Sequence, residues 1–197
     1  MGKKFYHSCC NLIRPYYNLV YPAQVEGLEN VPDEGGCIVC ANHISARDPF
    51  YLAVKVRNRM LHFMAKTELF KWKPMAAFMR GLEAFPVDRG HNDLNAVRTA
   101  LKLLADGHVL GVFPQGTRSR DNSRTPMLTG ISMIALRAQK PVIPVYIGGP
   151  YRFFKRVPVR IGKPVDLSDF GRRMDSETLT AATHRIEEAI WSMREEQ

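Results

Sequence analysis

Between Ala41 and Pro49 the chain reads Asn42-His43-Ile44-Ser45-Ala46-Arg47-Asp48, which sets an imidazole and a carboxylate five residues apart. Across a turn, that gap lets the carboxylate fold back onto a ring nitrogen. There it would fix the tautomer and stabilise the imidazolium formed on proton transfer. Asp48 followed by Pro49 also reads as a helix start, with Asp as cap and Pro at the first helical position. On residue types alone both readings stay open. No nucleophile accompanies the pair. There is no Gly-x-Ser-x-Gly elbow, and neither Ser45 nor any of the four cysteines has an activating context. The pair therefore suggests a base without an enzyme nucleophile, so that the substrate would supply the attacking hydroxyl.

Two further segments carry groups suited to an anion. Phe113-Pro114-Gln115-Gly116-Thr117-Arg118-Ser119-Arg120 offers a glycine for close backbone approach, two hydroxyls and two guanidiniums, with Arg124 following. Arginine grips phosphate as a bidentate fork. Asp88-Arg89-Gly90 adds another guanidinium. Each is equally a solvated basic loop when taken singly. Cations from separate strand ends converging on one place would be more informative than any one of them.

The elements that must position these loops follow from periodicity. Strand-like runs are Gly36–Ala41, Leu61–Ala65, Ala84–Val87, Val109–Phe113, Val142–Ile147 and Val157–Ile161. Helical spacing appears over residues 1–20, over Asn92–Ala105 with Gly107 stopping it, over Gly130–Ala138, and over Ser176–Met193 with Asp175 as cap. Alternation of strands and helices predicts an α/β fold: a single domain with a mostly parallel central sheet flanked by helices. Sites on such sheets lie beyond the carboxyl ends of the strands. That places the chemistry in the loops after Ala41, Val87, Phe113 and Ile147.

Composition narrows the partners. The formal net charge is +9 over 197 residues, which points to an anionic partner: nucleic acid, a phosphate ester or an acidic lipid surface. No nucleic-acid module is recognisable. Leu52–Arg80 and Tyr151–Lys163 are the basic stretches, whereas Asp175–Gln197 is acidic. In the first 20 residues Phe5, Tyr6, Cys9, Leu12, Ile13, Tyr16, Tyr17 and Val20 recur beside Lys3, Lys4 and Arg14. This suits an amphipathic helix lying in a membrane interface or packed on its own domain, and one helix can do both. Arg152, Phe153, Phe154, Lys155 and Arg156 form either a lipid-touching or a merely exposed loop. The longest run without a charged residue is 12, short of a membrane span, and no signal peptide or myristoylation signal is recognisable. Cys37 and Cys40 stand three apart in a strand-like run, so their sulfurs point to opposite faces. They read as buried small hydrophobes, in keeping with a reducing compartment.

Taken together, the loops resemble the glycerolipid acyltransferase family typified by 1-acylglycerol-3-phosphate acyltransferases. Asn42-His43 through Asp48 is similar to that family's Asn-His-x4-Asp block. Gly81-Leu82-Glu83-Ala84-Phe85-Pro86-Val87-Asp88-Arg89 resembles the second block, with Lys66-Thr67-Glu68-Leu69 and Pro74 before it. Phe113–Ser119 resembles the third block, Phe-Pro-Glu-Gly-Thr-Arg-Ser, and Val142-Ile143-Pro144-Val145 the fourth. The match runs from about Val25 to Val165 and departs at Gln115, where the family carries Glu.

The resemblance implies a glycerol-3-phosphate acyltransferase-like fold, with residues 1–20 as a membrane-associating helix and 21–197 as the acyltransferase domain. It implies an O-acyltransferase in which His43 is the general base and Asp48 holds it. Arg89, Gly116, Thr117 and Arg118 would bind the substrate phosphate. The hydroxyl would be the sn-2 hydroxyl of 1-acyl-sn-glycerol-3-phosphate, the donor acyl-CoA or acyl-carrier protein, and the product phosphatidic acid. No acyl-enzyme, metal or cofactor is needed. Backbone amides would serve the oxyanion. The implied partners are the lysophospholipid, the acyl donor and the cytoplasmic face of a membrane, bound peripherally. Another acceptor, such as glycerol-3-phosphate or a different lysolipid, is the alternative, as is a lipid-binding relative that has lost activity through Gln115.

Overall fold

The computed structural model describes residues 2–56, 58–88, 93–119 and 121–194. Seven strands form one sheet: β1 (Ala23–Glu26), β2 (Cys37–Ala41), β3 (Leu61–Lys66), β4 (Phe85–Val87), β5 (Val109–Val112), β6 (Val142–Ile147) and β7 (Val157–Ile161). Their order across the sheet is β1-β7-β6-β2-β5-β3-β4. Every neighbouring pair is parallel except β6 with β7, where Val145 faces Ile161 and Ile147 faces Val159. Six helices surround it: α1 (Gly2–Val20), α2 (Asp48–Lys55), α3 (Lys73–Gly81), α4 (Leu94–Ala105), α5 (Gly130–Ala138) and α6 (Ser176–Trp191).

The central strand explains the layering. All five residues of β2 are buried, as expected of a strand covered on both faces. Cys37, Val39 and Ala41 turn to a cluster completed by Tyr17 of α1 and Tyr51, Leu52 and Val54 of α2. Ile38 and Cys40 turn to the opposite cluster, with Ala100 and Leu104 of α4, Ile131 and Ile134 of α5, and Ile186 and Ile190 of α6. The two cysteines therefore lie on opposite faces, buried and free. Gly36 is required just before β2, because a Cβ there would stand 2.1 Å from the carbonyl oxygen of Leu104.

Helix boundaries follow local chemistry. Asp175 accepts from the amide of Thr178 at 2.8 Å and caps α6. Gly107, in the left-handed region at φ 85°, closes α4. At the start of α4 the expected boundary needs correction. Asp93 is the cap, accepting from the amides of Asn95 and Ala96, and the helix begins at Leu94; Asn92 lies outside the described residues. Two elements escaped the sequence pattern. β1 is a four-residue edge strand whose residues alternate half-buried and exposed, too short to register as a period. In α3 only Ala76 is buried, because this helix caps a cavity rather than the core.

α1 does pack on its own domain: Tyr6, Cys10 and Tyr17 are buried. The hydroxyl of Tyr6 accepts from the amide of Leu61 at 3.2 Å. Its other side leaves Leu12 80% and Leu19 69% exposed among polar residues. No helix among the described residues is long and apolar enough to cross a membrane.

Candidate active site

The carboxyl ends of β2, β5 and β6 lie side by side, so the loops that follow them share one edge of the sheet. Asn42, fully buried, ties them together. Its Nδ2 donates to the carbonyl of Ile147 at 2.9 Å and to Oδ1 of Asn122 at 3.0 Å, and its Oδ1 accepts from the amide of Ile147 at 2.7 Å. Asn122 in turn donates to the hydroxyl of Tyr146 at 2.9 Å. A buried polar network with its partners in place rigidifies the backbone that carries the next residue.

That residue is His43. Its Nδ1 stands 2.8 Å from Oδ2 of Asp48. The same oxygen accepts from the amides of Ile44 and Ser45 at 2.7 and 2.8 Å. This settles the two readings of Asp48. It is the first residue of α2, not its cap; the N-cap is Arg47, which makes no capping bond, and the carboxylate reaches back into the loop. Holding Nδ1 against a carboxylate leaves Nε2 as the basic ring nitrogen. The ring face stacks on Phe113 with centroids 4.4 Å apart. The His43 amide donates to Oε1 of Gln115 at 2.6 Å, and its carbonyl accepts from the amide of Ser119 at 2.9 Å. Ring, amide and carbonyl are thus all fixed, and three of these contacts come from the 113–119 loop.

His43 opens onto a cavity of about 510 Å³. Its walls come from the inner face of α1, from α2 and α3, and from β3, and they are mainly apolar: Ile13, Phe50, Phe63, Met75 and Leu82 are typical. Arg118 stands on the same cavity, with Lys66 and Glu68 further round. The groove can therefore seat an apolar chain beside a base and a cation. Of the other anion-binding candidates, Gly116 is half-buried with φ 67°, and Thr117 is exposed beside Arg118. Arg89, and Arg120 with it, lies outside the described residues. Arg124 is not available to an anion. Its Nε donates to Glu187 at 2.7 Å and its Nη2 to Glu188, so the acidic C-terminal helix takes up this part of the basic loop. No group of three or more His, Cys, Asp or Glu that could hold a metal stands together among the described residues.

Sequence reasoning missed two partners of the pair. One is Phe113, read as the end of a strand and the start of the third block but not as a partner of His43. The other is Tyr151, whose hydroxyl donates to Oδ1 of Asp48 at 2.9 Å across a separation of 103 residues. The loop after Ile147 was expected to border the site, but nothing in its residue types marks one tyrosine among several aromatics.

A family model described as Acyltransferase matches residues 22–148. The 1-acyl-sn-glycerol-3-phosphate acyltransferase of Bacillus subtilis is 31% identical over 190 residues, which are 94% of each chain. That of Streptococcus pneumoniae is 28% identical, over 88% of this chain and 67% of its own. Among solved structures, the 1-acyl-sn-glycerophosphate (LPA) acyltransferase of Thermotoga maritima superposes with a TM-score of 0.72 at 27% identity, over 99% of this chain and 84% of that one.

Proposed function

We propose, from the premise that this chain belongs to the acyltransferase family and is an O-acyltransferase, that it acylates the sn-2 hydroxyl of 1-acyl-sn-glycerol-3-phosphate to give phosphatidic acid. The observation that carries this reading is one cavity holding a carboxylate-fixed imidazole, a guanidinium and a long apolar wall. His43 Nε2 takes the proton of the acceptor hydroxyl. The oxygen attacks the thioester carbonyl of acyl-CoA or acyl-carrier protein, forming the C–O bond. Collapse breaks the C–S bond, and the thiol departs with the proton that His43 held. Asp48 stabilises the imidazolium meanwhile. Arg118, with Arg89, Gly116 and Thr117, binds the phosphate, so the hydroxyl is delivered to the base by position. The apolar walls receive an acyl chain. Stacked on Phe113 and fixed at both backbone groups, His43 loses little freedom when substrate arrives. Gln115 retains the acceptor oxygen that holds the His43 amide, which favours an active enzyme over an inert lipid binder.

The same reading places the protein peripherally on the cytoplasmic face of a membrane. Leu12 and Leu19 on α1, Trp72 ahead of α3, and Phe153 and Phe154 with Arg152, Lys155 and Arg156 are the apolar and basic groups that would enter an anionic interface. The test is acyl transfer by purified protein, read by mass spectrometry, against lysophosphatidic acid, glycerol-3-phosphate and other lysolipids with each donor. Strong preference for another acceptor would overturn the substrate assignment. Removing α1 outright would open the core at Tyr6 and Tyr17, so the membrane face is tested by Leu12→Glu with Leu19→Glu. This variant should lose binding to anionic liposomes while keeping its melting temperature; undiminished binding would refute the face.

A further inference from the structure

Asp48 is a fully buried carboxylate. An ion is tolerated there only where its lone pairs meet donors. Oδ2 meets three: His43 Nδ1 and the amides of Ile44 and Ser45. Oδ1 meets one among the described residues, the phenol of Tyr151 at 2.9 Å. Tyr151 stands in the segment joining β6 to β7, and its ring is held edge-on by two others. Tyr51 of α2 and Tyr21 just beyond α1 each have centroids 5.5 Å away. The segment itself is anchored to α1, because the amide of Phe154 donates to the carbonyl of Val20 at 2.7 Å. Burial and the adjacent carboxylate push the phenol's ionisation well above its usual range, so it stays a donor.

We propose that Tyr151 is a positioning residue for the catalytic pair, its hydroxyl pinning Asp48 Oδ1 so that Oδ2 faces His43 Nδ1 in one orientation. The proposal rests on His43 being the base of the acyl transfer. Without the phenol, Oδ1 is a buried acceptor with no partner among the described residues. The carboxylate can then rotate or take up a proton, and either change loosens its hold on the imidazole. A fraction of molecules would then carry a misdirected or wrongly protonated His43. Substrate would still bind, since Tyr151 does not line the cavity that receives it.

Tyr151→Phe deletes one oxygen and keeps the ring contacts. Tyr51→Phe is the control: its hydroxyl donates to the carbonyl of Val157 at 3.3 Å and not to Asp48. Three quantities are compared in both variants and the parent: kcat and KM, melting temperature, and the Nδ1–H proton resonance of His43 in protein labelled with 15N-histidine. Tyr151→Phe should lower kcat about tenfold or more, with KM little changed, and should shift or broaden that resonance. Tyr51→Phe should lower only the melting temperature. The proposal is overturned if Tyr151→Phe keeps the parent's kcat and resonance, or if both variants lose activity in step with their melting temperatures. Absence of acyl transfer in the parent would defeat the functional reading instead, and the resonance comparison would still decide the role of Tyr151.

Discussion

Two histidine–carboxylate pairs lie at opposite edges of the same sheet. At the carboxyl edge, His43 and Asp48 are 2.8 Å apart; at the amino edge, His62 of β3 and Glu83 ahead of β4 are 3.7 Å apart. Both imidazoles are largely shielded from solvent, yet only the first is equipped for proton transfer. Asp48 is fully buried with four donors around it, and His43 opens onto a cavity. The Glu83 carboxylate is too distant to bond its histidine, the His62 ring packs against His108 with centroids 4.9 Å apart, and His62 Nε2 has no partner among the described residues. Burial and the neighbouring His108 lower the His62 pKa to about 4. The difference teaches that proximity of the two residue types is not sufficient. A working base needs its carboxylate fixed from several sides and one ring nitrogen left open to substrate.

The comparison breaks most sharply in activity. His43→Ala should reduce acyl transfer by roughly a thousandfold or more while the fold survives, whereas His62→Leu should leave kcat near that of the parent. Turnover retained in the first, or lost in the second at unchanged stability, would invert the assignment of the two edges. Stability should discriminate in the opposite sense. Below pH 6.5 the unfolded chain protonates His62 but the native protein does not, until the pH nears 4. Stability should therefore fall as pH drops through that window, by up to about 3 kcal/mol. Denaturant titrations at stepped pH measure this, and His62→Leu should flatten the dependence; an unaltered slope would refute the burial argument. The smallest effect is expected at Gln115. Gln115→Glu keeps the oxygen that holds the His43 amide, so activity should stay within about tenfold, while Gln115→Leu, which removes it, should fall further. Equal rates in the two variants would show that this clamp is idle.

Much of this arrangement is legible in the sequence, for identifiable reasons. The apolar run Gly36–Ala41 reads as a strand, observed over Cys37–Ala41 and buried on both faces, and parallel strands put the loop after it and the loop expected after Phe113 on one edge. The turn chemistry at Gly107 and Asp175 set helix ends within a residue or two, whereas the cap at Asp93 went unread. β1 and α3 were illegible because their burial is slight or short, so no period emerges. The pairing of Arg124 was equally illegible, since its acidic partners Glu187 and Glu188 lie on a helix more than sixty positions later.

By itself, the sequence supplied the candidates, a histidine with an aspartate five residues on, cations in separate loops and no nucleophile, and the resemblance of its four blocks to the glycerolipid acyltransferases supplied the reaction they would carry. The sequence determined the layer architecture too, because hydrophobic periodicity is a local property. The tertiary structure alone decided that Asp48 turns back to His43 instead of capping α2, that Gln115 holds the base by its amide, and that Tyr151 completes the carboxylate's donors. The last two bonds join groups 72 and 103 residues apart, whose distance is set by how strands are ordered in the sheet, and the first depends on how the turn between its partners is folded. A hydrogen bond senses distances of about 3 Å, which residue spacing along an unfolded chain does not encode.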